Sequence, residues 1–259
     1  WRKRVAEEAG KNLKMLGDGG MSQASVTRLL EAGVKSGGGG FLRTHALDVL
    51  QYRFLRLIAD PVRDSVETQI MTRLTENEFG TPVSWSIIGH SLGTAVVHDT
   101  LHQMFKPGEG AQGSALFQPH AVVMLANVSQ LLHDKDFLKG ADAYGTIVRP
   151  NRESDVGACR FYLTAENRLD PVALAGDFKP PENWLTDAAK AQRLFRRLEF
   201  NAIPKSLNVH GFSEYLAHPG VHVPLFRILT SRQDWIKDQA ENAAHEKYKA
   251  DNPQPDAGN

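Results

Sequence analysis

Residues 89–93 read Gly-His-Ser-Leu-Gly, with a hydroxyl side chain fenced by two glycines where an apolar run gives way to a helical pattern. A G-x-S-x-G segment between a strand and a helix is the arrangement that lifts a serine onto a sharp turn with its Oγ exposed. The chemistry available to such a serine is acyl transfer. The hydroxyl attacks a carbonyl carbon, and backbone N–H groups hold the oxygen that becomes negative. On that reading Ser91 is the nucleophile and the N–H of Leu92 is an oxyanion donor, helped by the positive end of the following helix. Gly89 and Gly93 are small because side chains two residues from the serine would strike the neighbouring strand or helix. The plainer reading is a tight turn that requires small residues.

A serine hydroxyl is a weak nucleophile without a base, and the base needs an acid to orient it. On a strand–turn–helix serine the partners follow in the order Ser, then Asp or Glu, then His. The candidate acid is Asp170, in the segment Glu166-Asn167-Arg168-Leu169-Asp170-Pro171-Val172. Pro171 biases Asp170 toward extended geometry, which keeps its carboxylate on a stiff loop. Asp170 could instead cap a helix begun by Pro171, and Glu166 and Asp134 are competing acids. The chain has ten histidines, of which His210, His218, His222 and His245 follow Asp170. His210 lies in a short extended stretch, with Gly211 freeing a loop to reach over a sheet, and is the favoured base. His218 comes next. His218 and His222 flank Pro219-Gly220 and share no helical face, so they make a poor metal pair, and His245 falls on a polar, solvent-facing helix.

The elements that must carry these residues are legible in outline. Residues 1–80 read as a helical segment: 5–16 and 22–34 have helical spacing, and Gly37 to Gly40 form a flexible break. Residues 46–59 make an apolar helix that Pro61 ends, and a further helix runs to about Glu78. The apolar helix is better explained as core than as an acyl site or lid. From residue 81 the pattern alternates. Strands are expected at 83–88, 121–128 and 159–165, and a helix at 92–105. The run AVVMLANV at 121–128 has the continuous apolarity of a strand buried on both faces of a parallel sheet. Residues 106–118 and 133–158 read as loops, 187–200 as a basic amphipathic helix, and 234–249 as a polar helix before a disordered tail. Strands alternating with helices imply an α/β fold with a mostly parallel sheet, whose ligand sites gather at the carboxyl ends of the strands. The division expected is a helical segment at 1–80, a catalytic core at 81–230, and a C-terminal helix and tail at 231–259.

Composition narrows the partners. Thirty Lys and Arg balance thirty Asp and Glu, leaving no net field to gather nucleic acid. One cysteine, Cys159, rules out an internal disulfide and any cysteine-based zinc site. It leans toward a reducing, cytoplasmic location. No apolar stretch approaches the ~18 residues of a membrane helix. The opening Trp1-Arg2-Lys3-Arg4 leads into a charged helical pattern rather than a signal peptide. Oligomeric state is not legible.

The segments G-H-S-L-G-T, N-R-L-D-P-V and N-V-H-G-F-S-E-Y-L, in that order, resemble the α/β-hydrolase superfamily over roughly residues 80–230. The resemblance implies Ser91 as nucleophile, Asp170 as orienting acid and His210 as base. It further implies a small-molecule ester or acyl substrate, with no cofactor and no metal. Serine at position 91 excludes relatives that cleave carbon–halogen bonds with an aspartate. Esters or thioesters are the substrates expected, although peptidase, amidase or transferase chemistry runs on the same groups. A catalytically silent member used for binding or assembly is the alternative. Members usually carry several strands before the elbow and take the second oxyanion N–H from the loop after one of them. Residues 1–80 show neither, so either strands precede Trp1, or segments are missing within the chain, or the oxyanion hole is built differently; missing sequence is the favoured expectation.

Overall fold

The structure is a computed structural model, and it describes residues 52, 56–75, 84–106, 118–132, 144–150, 158–176, 178–184, 194–202, 208–229 and 239–252. The helices expected at 5–16 and 22–34, the glycine run at 37–40, Asp134, most of the two long loops and the last seven residues lie outside them.

The alternating apolar segments form a four-stranded, wholly parallel sheet in sequential order. Its strands are β1 (Ser86–His90), β2 (Ala121–Leu125), β3 (Phe161–Asn167) and β4 (Phe195–Phe200). Helix α1 (Arg56–Thr75) precedes the sheet. Between strands lie α2 (Leu92–Phe105), α3 (Ser129–Leu132) and α4 (Pro171–Gly176). After β4 come α5 (Phe212–Ala217), α6 (Pro219–Leu229) and α7 (Gln239–Asp251). This is an α/β architecture.

Every residue of β2 and β3 is buried, because helices cover both faces. Val122, Met124 and Tyr162 pack with Val97, Leu101, Met104 and Phe105 of α2. Their chain neighbours Ala121, Val123, Leu125, Phe161 and Leu163 face the other way, onto Tyr215 of α5 and Val221 of α6. A strand covered on both sides cannot alternate polar and apolar residues, which is why 121–125 reads AVVML. Each large aliphatic side chain so buried contributes about 1.5–3 kcal/mol.

Three expectations are corrected. Residues 195–200 are a strand, not the end of a basic helix. Phe195 and Leu198 fit helical spacing in FRRLEF, but the charges between them are paired within the fold. Arg197 Nη2 lies 3.0 Å from Glu166 and 2.7 Å from Glu199, and Arg196 reaches Glu241 of α7 at 2.5 Å. Second, Pro61 does not divide two helices; it sits inside α1. The position is exposed, so water can serve the carbonyl that loses its N–H partner. Tyr52 and Ala59, from the apolar stretch before it, are buried against Ala95, Val128 and Leu132. Third, His245 does not face solvent. Its ring is half-buried, 5.3 Å from that of His218, with Nε2 3.7 Å from Glu241.

Glu241 is fully buried and gathers basic side chains from three elements. Beside Arg196 of β4 and His245 of α7 stands Arg227 of α6, at 3.8 Å. A buried carboxylate so paired holds α7 against the sheet, and removing one member strands the others' charge. Glu241→Ala is expected to cost about 3 kcal/mol of stability and to raise hydrogen exchange across 239–251. A melting curve and exchange pattern equal to the parent's would show that α7 docks by apolar contact alone.

Candidate active site

β1 ends at His90, and Ser91 follows with φ 54° and ψ −129°. Positive φ is disfavoured for a residue with a Cβ and costs on the order of 1–3 kcal/mol. The surrounding bonds hold it there. Ser91 N–H donates to Leu125 O at 3.0 Å, extending the β1–β2 ladder one step past the strand. Thr94 N–H and Thr94 Oγ1 both donate to Ser91 O, at 2.9 and 2.7 Å, and Thr94 Oγ1 accepts Val128 N–H. The Ser91 side chain makes no capping bond to α2. Its strain therefore buys no helix cap, and the hydroxyl is left for other use. Leu92 is the first residue of α2, so its N–H has no intrahelical acceptor.

The two glycines are not equivalent. A Cβ on Gly89 would stand 2.9 Å from Thr94 Cα and 3.0 Å from Gly93 O, both backbone. A Cβ on Gly93 would meet nothing within 4 Å, which corrects the expectation that both are sterically required.

Asp170 lies three residues beyond β3, with no exposed surface. The loop that carries it is fixed by Asn167, whose Oδ1 accepts Leu169 N–H at 3.1 Å and whose Nδ2 donates to Ala202 O at 2.8 Å. Asp170 Oδ1 accepts Val172 N–H at 2.9 Å, an Asx-type turn into α4. Asp170 Oδ2 accepts from Tyr215 Oη at 2.8 Å and lies 2.7 Å from His210 Nδ1. A bond to the first turn of α4 and a contact with a histidine are thus both present, one on each oxygen. His210 is buried beside it, on the loop between β4 and α5.

The competing residues are placed elsewhere. Glu166 points at Arg197. His218 stacks on Phe200 at 4.1 Å between centroids, and His222 Nδ1 bonds Leu216 O. The structure joins Asp170 to His210 directly. It brings Ser91 to them through His90, the residue before it, whose ring centroid is 4.8 Å from that of His210. Among the described residues no hydrogen bond links Ser91 Oγ to His210.

Two participants escaped the sequence reading. Tyr215 stands five residues after His210, and nothing in H-G-F-S-E-Y marks its hydroxyl as bound for Asp170. His90 lies inside the glycine motif, yet its contacts with His210, Phe212 and Tyr215 depend on α5 folding over the strand end. Burial is the main cause that pushes its pKa down to about 4, with the neighbouring His210 next; a backbone hydrogen bond with His210 and the Asp170 charge act in the opposite sense. His90 is therefore neutral near pH 7.

A cavity of about 350 Å³ opens at the amino end of β1, lined by Ile70, Trp85 and Ile87 among others, and none of Ser91, Asp170 and His210 lines it. Among the described residues no cluster of His, Cys, Asp and Glu could hold a metal ion, and no helix is long and apolar enough to cross a membrane. Comparison with protein-family models, curated proteins and solved structures finds no match to this chain.

Two outcomes are expected. Gly89→Ala loses about 1–3 kcal/mol by overpacking against backbone, whereas Gly93→Ala is neutral or stabilising by up to ~1 kcal/mol; equal denaturation midpoints would contradict the geometry. His90 also makes stability pH-dependent. Between about pH 6.5 and 4 the unfolded chain protonates His90 and the folded chain does not, so stability falls as the solution is acidified through that range. His90→Asn flattens this part of the pH–stability curve, and an unchanged slope would assign the acid sensitivity to other groups.

Proposed function

We propose that the protein is a serine hydrolase of the α/β-hydrolase fold that cleaves carboxylic esters through Ser91, His210 and Asp170. The observation that carries this reading is the buried 2.7 Å contact of His210 Nδ1 with Asp170 Oδ2, at the same end of the sheet as a serine held at positive φ. A carboxylate can only accept, so Nδ1 carries the proton and Nε2 of the neutral ring keeps its lone pair. That is the tautomer a general base requires.

In the proposed reaction Nε2 removes the Ser91 proton as Oγ bonds to the acyl carbon. The carbonyl oxygen becomes an alkoxide facing Leu92 N–H. When the carbonyl re-forms, the C–O bond to the leaving alcohol breaks, and the imidazolium gives that alcohol its proton. Water, deprotonated by the same nitrogen, then attacks the acyl-serine; Ser91 recovers its proton and the carboxylic acid departs. A thioester follows the same path with a thiol leaving group.

The competing reading, a catalytically silent fold used for binding or assembly, draws on one observation: Ser91 Oγ is not bonded to His210. Catalytic hydrogen bonds often form only when substrate is bound, and a serine kept in strained geometry without a capping role favours the enzyme. Ser91→Ala and His210→Ala are each expected to lower p-nitrophenyl ester cleavage at least ~10³-fold. Ser91→Ala should also abolish fluorophosphonate labelling, with the wild-type adduct mapping to Ser91. Labelling and cleavage that persist in Ser91→Ala would overturn the assignment.

A further inference from the structure

We propose that Tyr215 is a positioning residue for the acid–base pair, its hydroxyl holding Asp170 Oδ2 and, through that oxygen, setting the orientation of the His210 ring. The hydroxyl has only one use open to it. Asn167 N–H, at the end of β3, donates to Tyr215 Oη at 3.1 Å. The single hydroxyl proton is therefore directed to Asp170, 2.8 Å away. Tyr215 is buried, and burial first, then the charge of Asp170, pushes its pKa well up, so the proton stays in place across the working pH range.

The geometry makes Tyr215 more than packing. Asp170 Oδ2 receives Tyr215 and His210 together, while Oδ1 is taken by Val172 N–H. With both oxygens engaged the carboxyl plane cannot rotate, and His210 Nδ1 is offered one acceptor in one direction. Tyr215 also spans three elements. Its chain position is on α5, its oxygen is bonded to the last residue of β3, and its ring lies 5.8 Å from that of His90 at the end of β1. Withdrawing its proton would free the carboxyl to turn and concentrate the Asp170 charge on the imidazolium. Among the described residues, titratable groups that face His210 include Asp170 from the β3–α4 loop, His90 from β1 and Tyr215 from α5; Glu166 of β3 acts on Tyr215 from further off and is paired with Arg197 of β4.

Only the effect on turnover rests on the hydrolase reading. The test is ¹⁵N-histidine NMR and ester kinetics on the full chain carrying Tyr215→Phe, with Phe200→Leu as a packing control. Phe200 meets the Tyr215 ring edge-on at 5.6 Å, so its loss disturbs the ring and spares the hydroxyl. Tyr215→Phe should move the His210 titration midpoint to higher pH and shift its Nδ1–H resonance. It should lower kcat about tenfold with KM within about twofold, the rate equivalent of one charge-assisted hydrogen bond. Phe200→Leu should lower the melting temperature and move neither. Should Tyr215→Phe not fold, 3-fluorotyrosine at position 215, a stronger donor of nearly equal size, should move the midpoint the other way. A His210 titration that ignores both replacements at 215, or that Phe200→Leu shifts equally, overturns the proposal. If the His210 signals respond as expected while the wild-type chain hydrolyses no ester, Tyr215 keeps its role and the hydrolase reading falls.

Discussion

A carboxylate removed from water survives only where protein donors replace the solvent it has lost. Asp170 is fully buried, and its donors come from three places: Val172 N–H in the first turn of α4, Tyr215 on α5, and His210 from the loop before α5. None of the three satisfies it alone. The loop after β3, the loop after β4 and the helix that follows are thereby coupled. Any movement of α5 away from the sheet would leave a buried charge with one donor where it had three. Asn167 reinforces the coupling from below by holding Leu169 and Ala202 to the strand end.

The strained serine has a different support. Its backbone is held by Leu125 O and by Thr94, groups of β2 and α2 that take no part in holding Asp170. The elbow and the acid–base pair are thus two separately stabilised constructions at one end of a parallel sheet. They share a neighbour in β2, whose last residues accept from Ser91 and, through Ala126 N–H, donate to Ala165 O of β3. Four parallel strands in sequential order make that possible. Parallel strands bring all their carboxyl ends to one side, so residues about 80 and 120 positions apart in the chain converge without any long-range signal in the sequence.

That convergence explains what could be read beforehand. α2 was legible because Leu92, Ala95, Val96, Leu101 and Phe105 keep helical spacing, and β2 because both faces demand apolar residues. The order of Ser91, Asp170 and His210 was legible because chain order is a property of sequence. β4 was not. Its arginines look like a solvated face until Glu166 and Glu241 are placed beside them, and those partners lie about 30 and 45 residues away. His245 was misread for the same reason, since the ring it meets, that of His218, lies 27 residues away in the chain. Tyr215 and His90 were unreadable as participants. A tyrosine on an apolar helix face and a histidine at a strand end have ordinary roles, and only the folded register turns them toward Asp170 and His210.

His90 shows how the two constructions communicate. As the last residue of β1 its side chain takes the α5 side of the sheet, because its register partner Leu125 does so. Ser91, the next residue, leaves the strand in a turn. One peptide unit therefore joins the strained serine to a ring packed against that of His210. A charged ring there would oppose any positive charge that His210 gains, and burial keeps His90 neutral. The motif position between Gly89 and Ser91 thus answers to packing against the His210 ring, while the glycine before it answers to the Thr94 backbone.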